Sequence, residues 1–309
     1  MPYGDGIPKI NCYSLTDFHD FESCPFRFFV RHHLDRKYDI DESSAVIALG
    51  ILLDQSIKGF HKENCYGTKS SKRLIQLVKD SENEMRFLVA EAQYKGKKHF
   101  FESTIPFLTE DIVTQAIQIF TDYYVKRKGN IRKSIGEVGF CEYPITHEGD
   151  NFKLWGGPDC LELGDDGMPE IVDYKSRQNL EPGKAYMDMD MMPKMYVLLC
   201  SQKLLKMGYK TARFVVRYWQ DPLDESFYEE FNIEAMGAEA FLFRQKIAKI
   251  VGVTEFKPCN KKFCAACNSA KKQEFLKELE QKGFKLMDGE DFLEESSVVS
   301  LQPSDNLPF

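Results

Sequence analysis

The stretch that most restricts what this chain can fold into runs from Gly156-Gly157-Pro158-Asp159 to Asp173-Tyr174-Lys175. Between its ends lie Cys160-Leu161-Glu162-Leu163, a turn of Gly164-Asp165-Asp166-Gly167, and Pro169-Glu170-Ile171-Val172. Two apolar runs around a Gly/Asp-rich turn predict an antiparallel hairpin centred near Asp166, with Asp159 opposite Asp173. Side chains alternate along a strand, so Lys175 shares the face of Asp173. Two carboxylates and an ammonium then meet at one spot, the set needed to hold a hard divalent cation and aim a water at a phosphodiester. A merely solvated hairpin would not need this order. Asp173 follows Ile171-Val172, where a buried strand emerges, and Gly157-Pro158 is a backbone irregularity that leaves room for a ligand beside Asp159.

This pattern resembles the PD-(D/E)XK nuclease superfamily, whose first acid ends one hairpin strand and whose acid-x-Lys unit lies on the next. The cysteines narrow the resemblance. Cys24 stands early, within Cys24-Pro25-Phe26-Arg27-Phe28-Phe29, and Cys259, Cys264 and Cys267 stand late. That order is similar to the RecB/AddB-type branch, which includes the CRISPR-adaptation nucleases, over about residues 14–270. The resemblance implies an α/β fold: a restriction-endonuclease-like core with a mixed central β-sheet flanked by helices. It adds an N-terminal helical region, forming one wall of a DNA channel, and termini stapled by a 4Fe–4S cluster on the four cysteines. It further implies Mg²⁺ or Mn²⁺ on Asp159 and Asp173, with Lys175 placing the attacking water. Asp54 ends Gly50-Ile51-Leu52-Leu53-Asp54 at the family's histidine position and becomes a third metal ligand, with the Tyr174 carbonyl a fourth. Tyr196 matches the tyrosine of a Gln-x-x-x-Tyr helix and would help hold the strand.

The chain also departs from that pattern. Cys259 precedes the Cys264-x2-Cys267 pair, and Gln273 lies in the region where the branch places its last cysteine. Thiolates are soft ligands suited to iron–sulfur clusters or to zinc, so an altered ligand set or Zn²⁺ stays open, as do free cysteines buried as small hydrophobes. Cys24 completes four-coordination only if the fold returns to its start. The remaining Cys12, Cys65, Cys141, Cys160 and Cys200 are expected to be structural. Met192 replaces the glutamine and lacks its hydrogen bonds, while Lys194 offers a DNA contact nearby. His61, two helical turns beyond Asp54, is expected at a polar surface.

A length of 309 residues with 43% hydrophobic content supports one nuclease domain over 1–285. Its expected parts are a helical wall at about 40–135, a catalytic core at about 136–255 and a cysteine segment at 256–285, followed by a flexible acidic tail at 286–309. The formal charge of −7 is concentrated in that tail, where six acids follow Lys285 with no Lys or Arg; without them 41 basic residues face 42 acidic ones. Basic clusters at 31–37, 95–98, 126–133 and 257–262 can steer a phosphate backbone. No apolar run is long enough to span a membrane, Met1-Pro2-Tyr3-Gly4-Asp5 does not open a signal peptide, and nine cysteines suit a reducing cytoplasm.

Helices are expected over 15–34 (interrupted near Cys24-Pro25), 44–62, most of 70–128, 185–207 and 233–251. Strands are expected over 137–145, 152–163, 169–175 and 212–219. The chain ends in Ser304-Asp305-Asn306-Leu307-Pro308-Phe309. This resembles the acidic tip of bacterial single-stranded-DNA-binding proteins and, more weakly, sliding-clamp-binding peptides, so Phe309 marks a candidate docking element.

Together these features predict a metal-dependent DNA exonuclease acting on single-stranded or end-containing DNA; the family resemblance implies a role in recombination, repair or replication, with a phage among the candidate sources. The alternatives are a CRISPR-adaptation-type end-trimming nuclease and a catalytically weak DNA-binding or scaffold module of the same fold.

Overall fold

The computed structural model describes residues 10–34, 44–99, 101–127, 131–135, 141–175, 191–220, 228–262 and 264–287. The chain opens with a short strand β1 (Cys12–Tyr13) and two helices, α1 (Leu15–Ser23) and α2 (Pro25–His32). Ser14 starts α1 through a reciprocal cap: its hydroxyl accepts from the Asp17 amide, and the Asp17 carboxylate accepts from the Ser14 amide at 2.6 Å. Cys24 then ends α1 in an extended conformation, and Pro25 takes the first position of α2, where its missing N–H costs nothing. The break expected at Cys24-Pro25 is therefore a true corner, with the thiol at its apex.

Three long helices follow: α3 (Ala45–Lys62), α4 (Ser71–Tyr94) and α5 (Glu110–Lys126). In α3 the buried Leu49, Leu52, Leu53, Ile57 and Phe60 recur at helical spacing. Burying each such side chain stabilises by about 1.5–3 kcal/mol, and the stripe packs against Leu77, Val78, Phe120 and Tyr124. Asp54 and Lys58 leave α3 from the flank of this stripe, four residues apart and therefore on one side of the helix.

The described strands form three sheets, and the four-stranded one is the mixed sheet expected from the sequence. The first has the order β1-β3-β2, from β2 (Cys141–His147) and β3 (Asp150–Gly156). The second has the order β4-β5-β6-β7, from β4 (Cys160–Leu163), β5 (Pro169–Lys175), β6 (Thr211–Tyr218) and β7 (Tyr228–Asn232). The strand expected over 152–163 thus divides at Gly157-Pro158-Asp159, because proline donates no ladder hydrogen bond and the backbone changes sheets there. The second sheet is mixed: β4–β5 and β6–β7 pair antiparallel, and β5–β6 pair parallel.

The parallel β5–β6 pair requires a crossover, which contains α6 (Met191–Lys206); the first residues expected in that helix, 185–190, lie outside the described residues. Past β7 come a single 3₁₀ turn (Ile233–Ala235) and α7 (Gly237–Ile250), in place of one continuous helix. The cysteine segment adds β8 (Glu255–Phe256), the one-turn α8 (Ala265–Asn268), α9 (Lys272–Gln281) and β9 (Lys285–Leu286).

The second sheet separates two apolar cores. On one face Val172, Tyr174 and Trp219 meet α3–α5, with Tyr174 stacked on Trp219 at 4.6 Å between ring centroids. On the other, Ile171, Phe214 and Val216 meet α6, α7 and the terminal segments, where Phe26 stacks on Phe256 at 5.7 Å. Strand alternation therefore sends Tyr174 to the first core and leaves Asp173 and Lys175 on the other face.

Candidate active site

The hairpin forms in the expected register. Cys160 pairs with Val172 and Leu163 with Pro169, and the Asp159 amide donates to the Val172 carbonyl at 3.0 Å, which carries Asp159 level with Asp173. The turn closes through the Gly164 amide to the Met168 carbonyl at 2.8 Å, with Gly167 at φ 79°, a left-handed conformation that glycine adopts without strain. The Asp159 carboxylate is held from behind, accepting from the Tyr174 amide at 2.8 Å. The opening at Gly156 is also specific. A Cβ there would sit 3.3 Å from Leu199 and 3.6 Å from the Tyr196 ring, so glycine lets the end of β3 approach α6.

Asp173 is 4% exposed, and Lys175 reaches its Oδ2 at 2.8 Å. Burial pushes the Asp173 carboxyl up to about 6; Lys175 opposes that rise and Asp159 adds to it. Asp54 is pushed well above the ordinary carboxylate range, first by burial and then by Asp159, with Asp173 adding and Lys58 and Lys175 opposing. Burial also raises the Tyr196 phenol, and Asp173, Asp159 and Asp54 follow as further causes. The mutual influence of these groups places Asp54, Asp159, Asp173, Lys175 and Tyr196 within electrostatic reach of one another. Three carboxylates in a part-buried site repel each other, and a bound divalent cation relieves that repulsion. The donor set is all oxygen, which suits Mg²⁺ or Mn²⁺.

Sequence reasoning missed Lys58. Its Nζ stands 3.7 Å from Asp159 Oδ1 with its side chain 40% exposed. The signal was present in the four-residue step from Asp54 along α3. Also unforeseen is the ionic layer beneath the hairpin. Arg217, 1% exposed, donates to Glu162 and to Glu170, the latter at 2.7 Å. Arg132 and Arg213 bind Glu170 from the outer side at 2.6 and 3.3 Å. This ties β4, β5 and β6 together directly under the acids. Arg132, counted in a basic cluster, thus pairs with Glu170 and Asp165, and Arg31 of another cluster pairs with Asp20 at 2.8 Å.

His61 is not at a polar surface. It lies near Cys160 and Glu162, with Nδ1 2.8 Å from the Tyr66 hydroxyl and Nε2 3.2 Å from the Cys160 sulfur. The apolar wall of α3 and the hairpin enclose it. The three groups lie close enough to hold an ion, but Glu162 is already neutralised by Arg217, and burial pushes the Cys160 thiol well up. That cluster reads as a hydrogen-bonded part of the core. Gly50, at the family's glycine position, faces open space, and Met192 packs against the core.

The second candidate centre joins Cys24, Cys259, Cys264 and Cys267, whose sulfurs all lie within 4.8 Å of one another. Cys24 and Cys267 approach to 3.7 Å across 243 residues of chain. The corner between α1 and α2 supplies the first thiol, and the segment around α8 supplies the others. Four convergent thiols fit a thiophilic metal, which they would bind as thiolates.

A family model of the PD-(D/E)XK nuclease superfamily matches residues 13–279. The chain belongs to that superfamily. Members are nucleases that generally use divalent metals, which agrees with the oxygen-lined site of this superfamily chain. No curated protein matches at significance. Among solved structures, the chain is similar to SSO0001 at 15% identity and a TM-score of 0.28, covering 53% of this chain and 71% of that one. Rai1 of Scheffersomyces stipitis is similar at 10% identity and a TM-score of 0.22, covering 55% and 50%. No helix among the described residues is long and apolar enough to cross a membrane. Residues 288–309, including the Phe309 docking element, lie outside the described residues.

Proposed function

We propose that this superfamily chain is a Mg²⁺- or Mn²⁺-dependent DNA exonuclease acting on single-stranded or end-containing DNA. One observation carries the reading: Asp159 and Asp173 stand level on the hairpin, with Lys175 2.8 Å from Asp173, Lys58 3.7 Å from Asp159 and Asp54 within electrostatic reach of both acids. These carboxylates and the Tyr174 carbonyl would hold a divalent ion, which would supply a water of lowered pKa and polarise the phosphate.

The remaining steps belong to the chain's own residues. The Tyr174 amide fixes the rotamer of Asp159, so that carboxylate is aimed before substrate arrives. Lys175 lies 2.8 Å from Asp173; desolvation opposes its charge, but the Asp173 carboxylate outweighs that and holds its ammonium above the ordinary range, so it stays charged. It acts as a donor that orients the attacking water and offsets charge on the phosphorane-like transition state, not as a base. Lys58, as exposed as Lys175, attracts the phosphate flanking the scissile one. Tyr196 holds the strand, and Lys194, on another face of α6, contacts DNA farther along. A role in recombination, repair or replication, and a protein partner recruited by Phe309, extend the same reading.

The test is degradation of end-labelled single- and double-stranded DNA by the full chain in Mg²⁺ or Mn²⁺. Metal-dependent release of label supports the reading and gives the polarity. Intact DNA after exposure to folded, metal-supplied protein would overturn it and favour a binding or scaffold role.

A further inference from the structure

We infer that the four-cysteine centre holds a single tetrahedral zinc ion instead of a 4Fe–4S cluster. The geometry of the sulfurs carries this. Zinc bonded to four thiolates at about 2.3 Å spaces them about 3.8 Å apart along each edge of the tetrahedron. Here Cys24 and Cys267 stand 3.7 Å apart, Cys259 and Cys267 3.8 Å, and no pair exceeds 4.8 Å. In a 4Fe–4S cluster each thiolate caps a different iron at a corner of a cube, which drives the sulfurs to about 6 Å from one another. Four irons and four sulfides do not fit within the ring of thiols seen here.

The backbone carrying the thiols resists widening. The Asn268 side-chain amide donates to the carbonyls of Lys261, Lys262 and Cys264 at 2.9, 3.0 and 2.8 Å, closing the loop that presents Cys264 and Cys267. Lys272 Nζ ties Asn260 at 2.7 Å, and Asn260 holds a left-handed φ of 50°, a conformation asparagine tolerates better than most residues. On the opposite side, Cys24 is fixed between two helices and buried next to the Phe26–Phe256 stack. These contacts fix the backbone positions from which the thiols reach the centre. Zinc suits the result because it is redox-silent and a closed four-thiolate shell leaves no open position for chemistry. The ion then serves as a clasp between the first helices and the last.

This inference stands apart from the nuclease reading, since a protein that cuts no DNA can hold the clasp and one that does cut can lack it. The full chain should be expressed with both iron and zinc supplied, purified without oxygen, and assayed for metal and acid-labile sulfide. About one zinc per chain and no sulfide is expected, with a colourless protein. Replacement by Co²⁺ should give the intense ligand-field bands of a tetrahedral thiolate site. Cys264→Ser/Cys267→Ser should lose the zinc, whereas Cys12→Ser/Cys65→Ser should keep it. Should the paired variant fail to fold, transfer of zinc to a chelator after thiol modification of the wild type reports on the same ligands. A brown protein with iron and sulfide in equal amounts would overturn the inference, as would zinc retained after the cysteine pair is removed.

Discussion

The carboxylate site and the thiol site are assembled by opposite routes. Asp159 and Asp173 come from neighbouring strands of one hairpin, whereas Cys24 meets Cys267 across 243 residues. The first is open and electrostatically tense: Asp173 is forced up to about 6 by burial, and a partly exposed Lys58 stands at the rim. The second is closed, with three of its four thiols buried. An open set of oxygens can exchange ion, water and phosphate; a closed set of sulfurs can only hold. On the proposed function, one chain separates a place for reaction from a place for stability.

The largest expected effect breaks the first site. Asp173→Ala or Asp159→Ala should lower DNA cleavage at least about a thousandfold, and Lys175→Ala about a hundredfold or more, with unchanged circular dichroism. Equal loss of structure in these variants would show that the hairpin acids hold the fold instead. Cys24→Ser attacks the second site. It should cost several kcal/mol of stability, read as a lower thermal midpoint, because a metal clasp between distant segments contributes directly to folding. Cleavage by the fraction that remains folded should persist.

The Arg217 layer belongs to neither site. Arg217→Met leaves Glu162 and Glu170 buried with less compensation and should destabilise by about 3–5 kcal/mol, while Arg217→Met/Glu162→Leu recovers part of that loss. Denaturant unfolding measures both. Lys58→Ala sharpens the comparison from the other direction. Removing a cation beside the acids should lower the Mg²⁺ concentration needed for half-maximal rate while reducing the maximal rate about tenfold.

The smallest effect concerns pH at the junction of the termini. His33 packs between Phe29 and Phe284, and burial pushes its imidazole down from 6.5 to about 4. The unfolded chain therefore binds the extra proton first. The stability due to neutral His33 is fully present above 6.5 and is lost as pH falls toward 4. His33→Phe should flatten the thermal midpoint over that window.

The hairpin was legible in the sequence because its logic is local. Alternation sets the faces, Gly164 to Gly167 set the turn, and together they place Asp159 against Asp173. Cys24-Pro25 and the cap at Ser14 were legible for the same reason. The division of 152–163 between two sheets was not, although Pro158 marked the position, because which sheet a strand joins depends on partners far away. His61 was misplaced because its polarity suggested solvent, while Tyr66 and Cys160 satisfy it inside the fold. The Arg217 layer was hidden for a related reason: alternating charges on strands read as exposed until burial of both faces is known. The convergence of the cysteines was suggested by resemblance, but the distance between the sulfurs had to come from the structure.

The most direct test of this division of labour is to remove the hard metal alone. The full chain, stripped of Mg²⁺ and Mn²⁺ under conditions that leave the cysteine-bound metal in place, should stop cutting end-labelled DNA and keep its thermal midpoint. Titrating Mg²⁺ back should restore cleavage in wild type and not in Asp173→Ala, with the thiol-bound metal unchanged throughout. Cleavage that persists without added Mg²⁺ or Mn²⁺, or that follows the content of the cysteine centre instead, would contradict the account.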